Sequence, residues 1–150
     1  MKRISILGVL VGGIVDIVST NIFAIPLFMF AIMRIDRTHI SKDQLATAAT
    51  AAVQHDPSLQ VAGFFVGIAG SMLGGYIAAL IAKRDETLNG AFSAWLCVVI
   101  GIFGWTLGAA SVPVVYHLLG FVLSPAAGAL GGYFRLFQGQ LTSNRLNASG

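Results

Sequence analysis

Few side chains in this sequence can do chemistry, and the first to consider is Asp16. It lies near the middle of residues 4–33, a stretch with no other charged side chain. A carboxyl group can serve as an acid or base, an ion ligand, a proton carrier or a hydrogen-bonding partner. Ser19, Thr20 and Asn21 follow it at helical spacing. Thr20 is four residues on, one turn along a helix, so its hydroxyl can reach the carboxyl; Ser19 and Asn21 flank that face. His117 is the only histidine inside a long apolar stretch. It can act with Tyr116 as an anchor at a membrane interface, or pair with Asp16 if the two come to the same depth. These five residues, Asp16, Ser19, Thr20, Asn21 and His117, form the candidate polar cluster.

Catalytic signatures are absent. The sequence holds no nucleophile elbow, phosphate loop or paired-histidine zinc helix, and no two carboxylates share an apolar segment. No catalytic residue is assigned and a non-enzyme is expected. His39 and His55, with Asp36, Asp43 and Asp56, match no metal-ligand spacing. A second histidine for a haem is missing from the apolar segments, so no metal and no cofactor are expected. Cys97 is the single cysteine and lies in an apolar run. It reads as a small buried hydrophobe, with no disulfide to form.

The elements that must position Asp16 follow from composition. Of 150 residues, 56% are hydrophobic and only 10% charged, against about 25% charged in soluble domains. Four segments reach the roughly 20 residues needed to cross a bilayer: residues 4–33, 59–82, 90–112 and 114–137. The fold class expected is all-α, a four-helix transmembrane bundle in one domain. Asp16 would then lie about 18 Å along the first helix from Ile4, near the bilayer centre. Lys2 and Arg3 precede the first segment as in a signal peptide. Its length, the Asp16 interruption and the lack of a small-residue cleavage pattern favour a retained helix. Pro26 and Pro125 give the first and fourth helices a physical cause for kinking, and Pro113 fits a helix start.

Charge sets the orientation. Lys2, Arg3, Lys83, Arg84, Arg135 and Arg145 share one side, six basic residues, against three on the other, Arg34, Arg37 and Lys42. The positive-inside rule places both termini in the cytoplasm. The net charge of +3 comes from residues flanking apolar segments, with no basic run interleaved with aromatics, so nucleic acid is not a partner.

Residues 42–55 form the one sizeable piece outside the spans. Ser41 and Gln44 match a capping box, and Leu45, Ala49, Ala52 and Val53 fall on one helical face. A short extracytoplasmic amphipathic helix is expected there, lying on the bundle or the membrane surface. Asp56 and Pro57 then cap and start the second span. At the other end, residues 139–150 are small and polar and read as a fraying tail.

Small residues at spacing four recur in every span: Gly8 and Gly12; Gly63, Gly67, Gly70 and Gly74 with Ser71 and Gly75 alongside; Gly104 and Gly108; Gly128 and Gly132. Such positions let helix backbones approach closely in lipid, within one chain or at a seam with another copy. An internal echo links Gly63-Phe64 and Leu73-Gly-Gly-Tyr76 to Gly120-Phe121 and Leu130-Gly-Gly-Tyr133, at a constant offset of 57 residues. Two helical hairpins related by an axis along the membrane normal would explain it.

Two stretches, Gly12-Gly-Ile-Val-Asp16-Ile-Val-Ser-Thr20 and Gly74-Gly-Tyr-Ile-Ala-Ala-Leu-Ile-Ala-Lys-Arg84 leading to Asn89-Gly-Ala91, carry a resemblance. The sequence resembles a loose group of small uncharacterised bacterial four-helix integral membrane proteins. In these, an Asp follows glycines in the first helix and a Gly-Gly-Tyr helix ends in basic residues. The resemblance implies four spans and a bacterial inner membrane, and it brings no activity.

Two functions remain open. The first is a structural or accessory subunit, packed against membrane lipid and against itself or a larger membrane complex. The alternative is a small transporter or channel component using Asp16 to couple a proton or ion.

Overall fold

The computed structural model describes residues 4–35, 41–106 and 114–148. These form five helices, α1 (Ile6–Arg34), α2 (Lys42–His55), α3 (Pro57–Ala82), α4 (Glu86–Thr106) and α5 (Val114–Ala148). No strand occurs among the described residues. Four helices are long and apolar enough to cross a membrane: Ile6–Arg34, Pro57–Ala82, Glu86–Phe103 and Val114–Thr142. At 1.5 Å per residue the 29 residues of α1 extend about 44 Å, beyond the roughly 30 Å hydrocarbon layer.

The interior is made of small side chains. Ala31, Ala78, Ala79, Ala94 and Ala127 are buried, whereas large apolar residues such as Ile6, Phe65 and Val122 face outwards with 65 to 70% of their surface free. In water this distribution would expose too much apolar surface to be stable. In lipid the outward residues are solvated by acyl chains, and the interior is chosen for close approach.

Helix α3 packs against α1, α4 and α5, and α4 against the same two outer helices, while α1 and α5 do not meet among the described residues. The bundle is therefore a rhombus with α3 and α4 on its short diagonal. A twofold relation between the hairpins α1–α3 and α4–α5 would require α1 to touch α5 whenever α3 touches α4. The expected hairpin symmetry is thus absent from the packing. The echoed Gly-Gly pairs do share a role. Gly74 and Gly75 seat α3 against α1 and α5, and Gly131 and Gly132 seat α5 against α3 and α4.

Glycine packing is concentrated at one end. A Cβ on Gly12 would lie 2.6 Å from the Ala78 Cβ and the Gly74 carbonyl oxygen, and one on Gly8 would lie 2.8 Å from the Ala78 carbonyl oxygen. Gly75 and Gly90 both abut the Gly128 backbone, and Gly132 abuts that of Glu86. The other end is open. Gly67 and Gly120 have no neighbouring atom within 4 Å of a would-be Cβ, and Gly63 has only a Leu27 methyl, at 3.6 Å. Gly67, expected as a packing position, has no close neighbour within this chain. Three close contacts at Gly13, Gly90 and Gly131 escape the spacing-four pattern. The side-chain environment of Gly104, and all of Gly108 and Pro113, lie outside the described residues, as do Lys2, Arg3, Asp36, Arg37 and His39.

The tight end is tied by Asn89, which is fully buried. Its Oδ1 accepts from the Ser5 amide at 2.7 Å, and its Nδ2 donates to the Arg84 and Asp85 carbonyls at 2.9 and 3.0 Å. Ser5 in turn caps α1, its Oγ accepting from the Gly8 amide at 3.2 Å. Lys83 and Asp85 take φ values of 54° and 40°, so the chain reverses in a left-handed turn that Asn89 closes. That is why α4 begins at Glu86, four residues before the expected span at 90–112.

At the open end, Asp56 caps α3 as expected, accepting from the Ser58 amide at 2.8 Å, with Pro57 in the first turn. Arg34 at the end of α1 donates to Asp56 at 3.2 Å. The expected Ser41–Gln44 capping box does not form. Ser41 makes no side-chain cap bond, and the first turn of α2 closes through the Gln44 amide on the Ser41 carbonyl at 3.0 Å. Asp43 supplies the negative charge favoured at that terminus. Helix α2 rests on α1 and α3, with Ala49 buried. The tail also differs from expectation. Helix α5 continues to Ala148, since beyond Gly139 neither proline nor glycine interrupts residues 140–148 and the Thr142 hydroxyl donates back to the Gln138 carbonyl at 3.0 Å.

Two outcomes are expected. Gly75→Ala should destabilise the bundle by about 1–3 kcal/mol, because the new methyl meets backbone that cannot retract. Gly67→Ala should be neutral or stabilising by up to about 1 kcal/mol through helix propensity; thermal melting in detergent separates the two. Secondly, the Ser58 hydroxyl and amide hold the Asp56 carboxyl below the usual carboxylate range. Its contribution to stability is present above the ordinary carboxylate pKa of about 4. It is lost as pH falls through the lower folded value. Acid melting curves of Asp56→Asn should lack that component.

Candidate functional site

The site sits where the tight and open halves of the bundle meet. Asp16 on α1 points between the helices with 1% of its surface exposed. Glycines on α3 make the recess for it. A Cβ on Gly74 would lie 2.7 Å from that of Asp16, and one on Gly70 would collide with the Thr20 hydroxyl. The glycines are therefore spaced to admit a carboxyl as well as to bring backbones together.

All four spanning helices converge on this group. From α1, the Thr20 hydroxyl donates to Asp16 Oδ1 at 3.4 Å, and the Ser19 hydroxyl donates to the Asp16 carbonyl at 3.1 Å. From α3, the Ser71 hydroxyl donates to Asp16 Oδ2 at 3.0 Å. From α4, Cys97 lies beside the Asp16 carboxyl. From α5, Ser124 Oγ lies 2.9 Å from Ser71 Oγ. A serine has one proton to give. With Ser71 donating to Asp16, Ser124 is the donor to Ser71, and the order runs Ser124, Ser71, Asp16. Among the described residues, no cationic side chain is bonded to Asp16, and no cluster of three metal-ligating side chains exists.

The five residues singled out from sequence thus separate. Asp16, Ser19 and Thr20 belong to the seam. Asn21 is exposed, its Nδ2 donating to the Ile17 carbonyl at 2.7 Å, because its position on α1 faces away from α3. His117 lies one turn into α5, seven residues before Ser124, so about 10 Å along the axis from it. Its ring is 6.3 Å from that of Phe121. Conversely, Ser71, Cys97 and Ser124 were not assigned to the cluster. Cys97 in particular is only partly buried and has a polar neighbour, so it is more than an apolar filler. The available signal was a small polar residue in each remaining span at comparable depth. Depth can be read from sequence only after the helix ends are known.

Two cavities lie on the α2 side of the site. One, of about 160 Å³, lies between α4 and α5 and is lined by Cys97, Tyr116, His117, Gly120 and Ser124. The other, of about 260 Å³, lies beneath α2 and is lined by Gln54, Gln60, Phe64, Tyr116 and His117. Tyr116 and His117 form the wall common to both. Phe64 packs edge-on to Tyr116, with ring centroids 6.4 Å apart.

Four apolar helices closed around a polar seam, with large hydrophobes turned outwards, are the architecture of a multi-pass integral membrane protein. No protein-family model, curated protein or solved structure matches the chain.

Ser71→Ala should lower stability by about 0.6–1.7 kcal/mol, the range for hydrogen bonds between membrane helices. Asp16→Asn should stay close to wild type because the amide still accepts from Ser71. Asp16→Leu should lose about 1–3 kcal/mol, leaving buried hydroxyls without their acceptor. Unfolding titrations in mixed micelles measure all three.

Proposed function

We propose that this protein is a non-enzymatic structural or accessory subunit of a bacterial inner membrane, packed against itself or a larger membrane complex. The carrying observation is that the Asp16 carboxyl, 1% exposed, is hydrogen-bonded by side chains from α1 and α3, with Cys97 of α4 beside it. The most polar group in the spans is thus engaged in joining helices. An ionised carboxylate in such a seam would need a counter-charge. With hydroxyls and a thiol as its neighbours, Asp16 works as a neutral hydrogen-bonding lock.

The outer surface suits the same role. Ile6, Leu7, Ile14, Val18 and Phe65 present apolar side chains, which lipid or a partner helix can cover. The basic residues support an orientation with both termini cytoplasmic and α2 on the extracytoplasmic side. The group of small bacterial membrane proteins that the sequence resembles supports the location.

Native mass spectrometry from mild detergent or lipid nanodiscs tests the reading. An oligomer or a co-purifying membrane complex is expected. A strictly monomeric species that carries no partner overturns it.

A further inference from the structure

We propose that Asp16 is a proton-exchange site reached by water from the α2 end of the bundle, past Tyr116 and His117, to Cys97 and Ser124. Three observations on separate elements carry this. The cavity of about 160 Å³ between α4 and α5 ends at Cys97 and Ser124, the two residues that join α4 and α5 to the Asp16 network. At about 30 Å³ per molecule it has room for roughly five waters, and four of its lining residues can hydrogen-bond them. It shares Tyr116 and His117 with the cavity of about 260 Å³ beneath α2, a mostly apolar recess in which Gln54 and Gln60 are the further polar side chains.

The opposite direction is closed. Backbone contacts of Gly8 and Gly12 with α3, and the Asn89 tie to Ser5, seal the seam on the other side of Asp16. Access is therefore one-sided. The groups facing Asp16 are Ser19 and Thr20 on α1, Ser71 on α3, Cys97 on α4 and, through Ser71, Ser124 on α5. The next titratable side chains along the path are Tyr116 and His117. Arg34, His55 and Asp56 line a recess at the same end, which shares Leu59 with the larger cavity.

The step balances as a proton transfer. Ser124 takes a proton from a cavity hydronium, which becomes water, and gives its own to Ser71. Ser71 gives its own to Asp16 in its transient carboxylate form, which returns from −1 to the neutral resting form. Release runs the same chain backwards, and the proton returns to water. The inference holds whether the bundle acts alone or in a larger assembly.

The single cysteine of the chain makes the path directly testable. In vesicles of known orientation, a charged, water-soluble methanethiosulfonate should label Cys97 from the α2 face only. Gly120→Leu should slow labelling by about tenfold or more. Nothing lies within 4 Å of a would-be Cβ at Gly120, so this change fills the cavity and spares the fold. Labelling from the opposite face overturns the proposal, as does reaction with only a lipid-soluble maleimide or no reaction at all. The infrared carbonyl band of protonated Asp16, assigned by its loss in Asp16→Asn, gives the second readout. It should exchange deuterium readily in wild type and about tenfold more slowly in Gly120→Leu and Ser124→Ala. Equal rates in all three, or no exchange in wild type, refute the path.

Discussion

The structure depends on the approach of helix backbones at two glycine nodes. At Gly128, the backbone of α5 is met by Gly75 of α3 and Gly90 of α4. At Gly12, the backbone of α1 is met by Gly74 and Ala78 of α3 and by Ser93 of α4. Lipid chains are as apolar as leucine, so no hydrophobic force brings these helices together. Dispersion between closely fitted backbones and hydrogen bonds between helices have to do it. Each node joins three helices, which is why two nodes suffice to hold four.

The Asp16 seam is a consequence of that geometry. A carboxyl can be buried between α1 and α3 only because Gly70 and Gly74 leave a recess for it, and its bonds and contacts then reach α4 and α5 at no further separation. Packing and polarity are therefore not independent features here. The glycines bring Ser71 within 3.0 Å of Asp16, and the hydrogen bonds so formed fix the rotation of each helix about its own axis. Small residues alone would leave that rotation loosely specified.

The same nodes create an asymmetry along the bundle. Below them the helices are joined by backbone contacts and by Asn89. Above them Gly63, Gly67 and Gly120 have no close backbone neighbour, and α2 covers the cavity that Gly63 lines. Asp16 sits at the boundary, and that position links a structural reading of the residue to one in which its proton can exchange with water on one side.

Much of this was legible in the residue order. Four spans follow from apolar runs of sufficient length, since a bilayer demands about 20 such residues whatever surrounds them. Asp16 and Thr20 follow from helical spacing, and the Asp56-Pro57 start of α3 from local capping chemistry. These are local rules, each acting within a few residues along one chain segment. The rest required tertiary structure. Asn21 and Thr20 are adjacent in sequence, yet only Thr20 faces the seam, because the rotation of α1 is set by its neighbours. Ser71, Cys97 and Ser124 look unremarkable one at a time and gather around Asp16 only when three other helices settle at a common depth. Gly67 and Gly74 are alike in sequence, but one has no close neighbour in the chain and the other faces Asp16, because which helix lies opposite is a property of the whole bundle. The sequence alone determined that four segments are long and apolar enough to cross a membrane and that one carries an acid near its middle. The fold alone decided what that acid touches, because depth, rotation and spacing between helices are relations that no single segment contains.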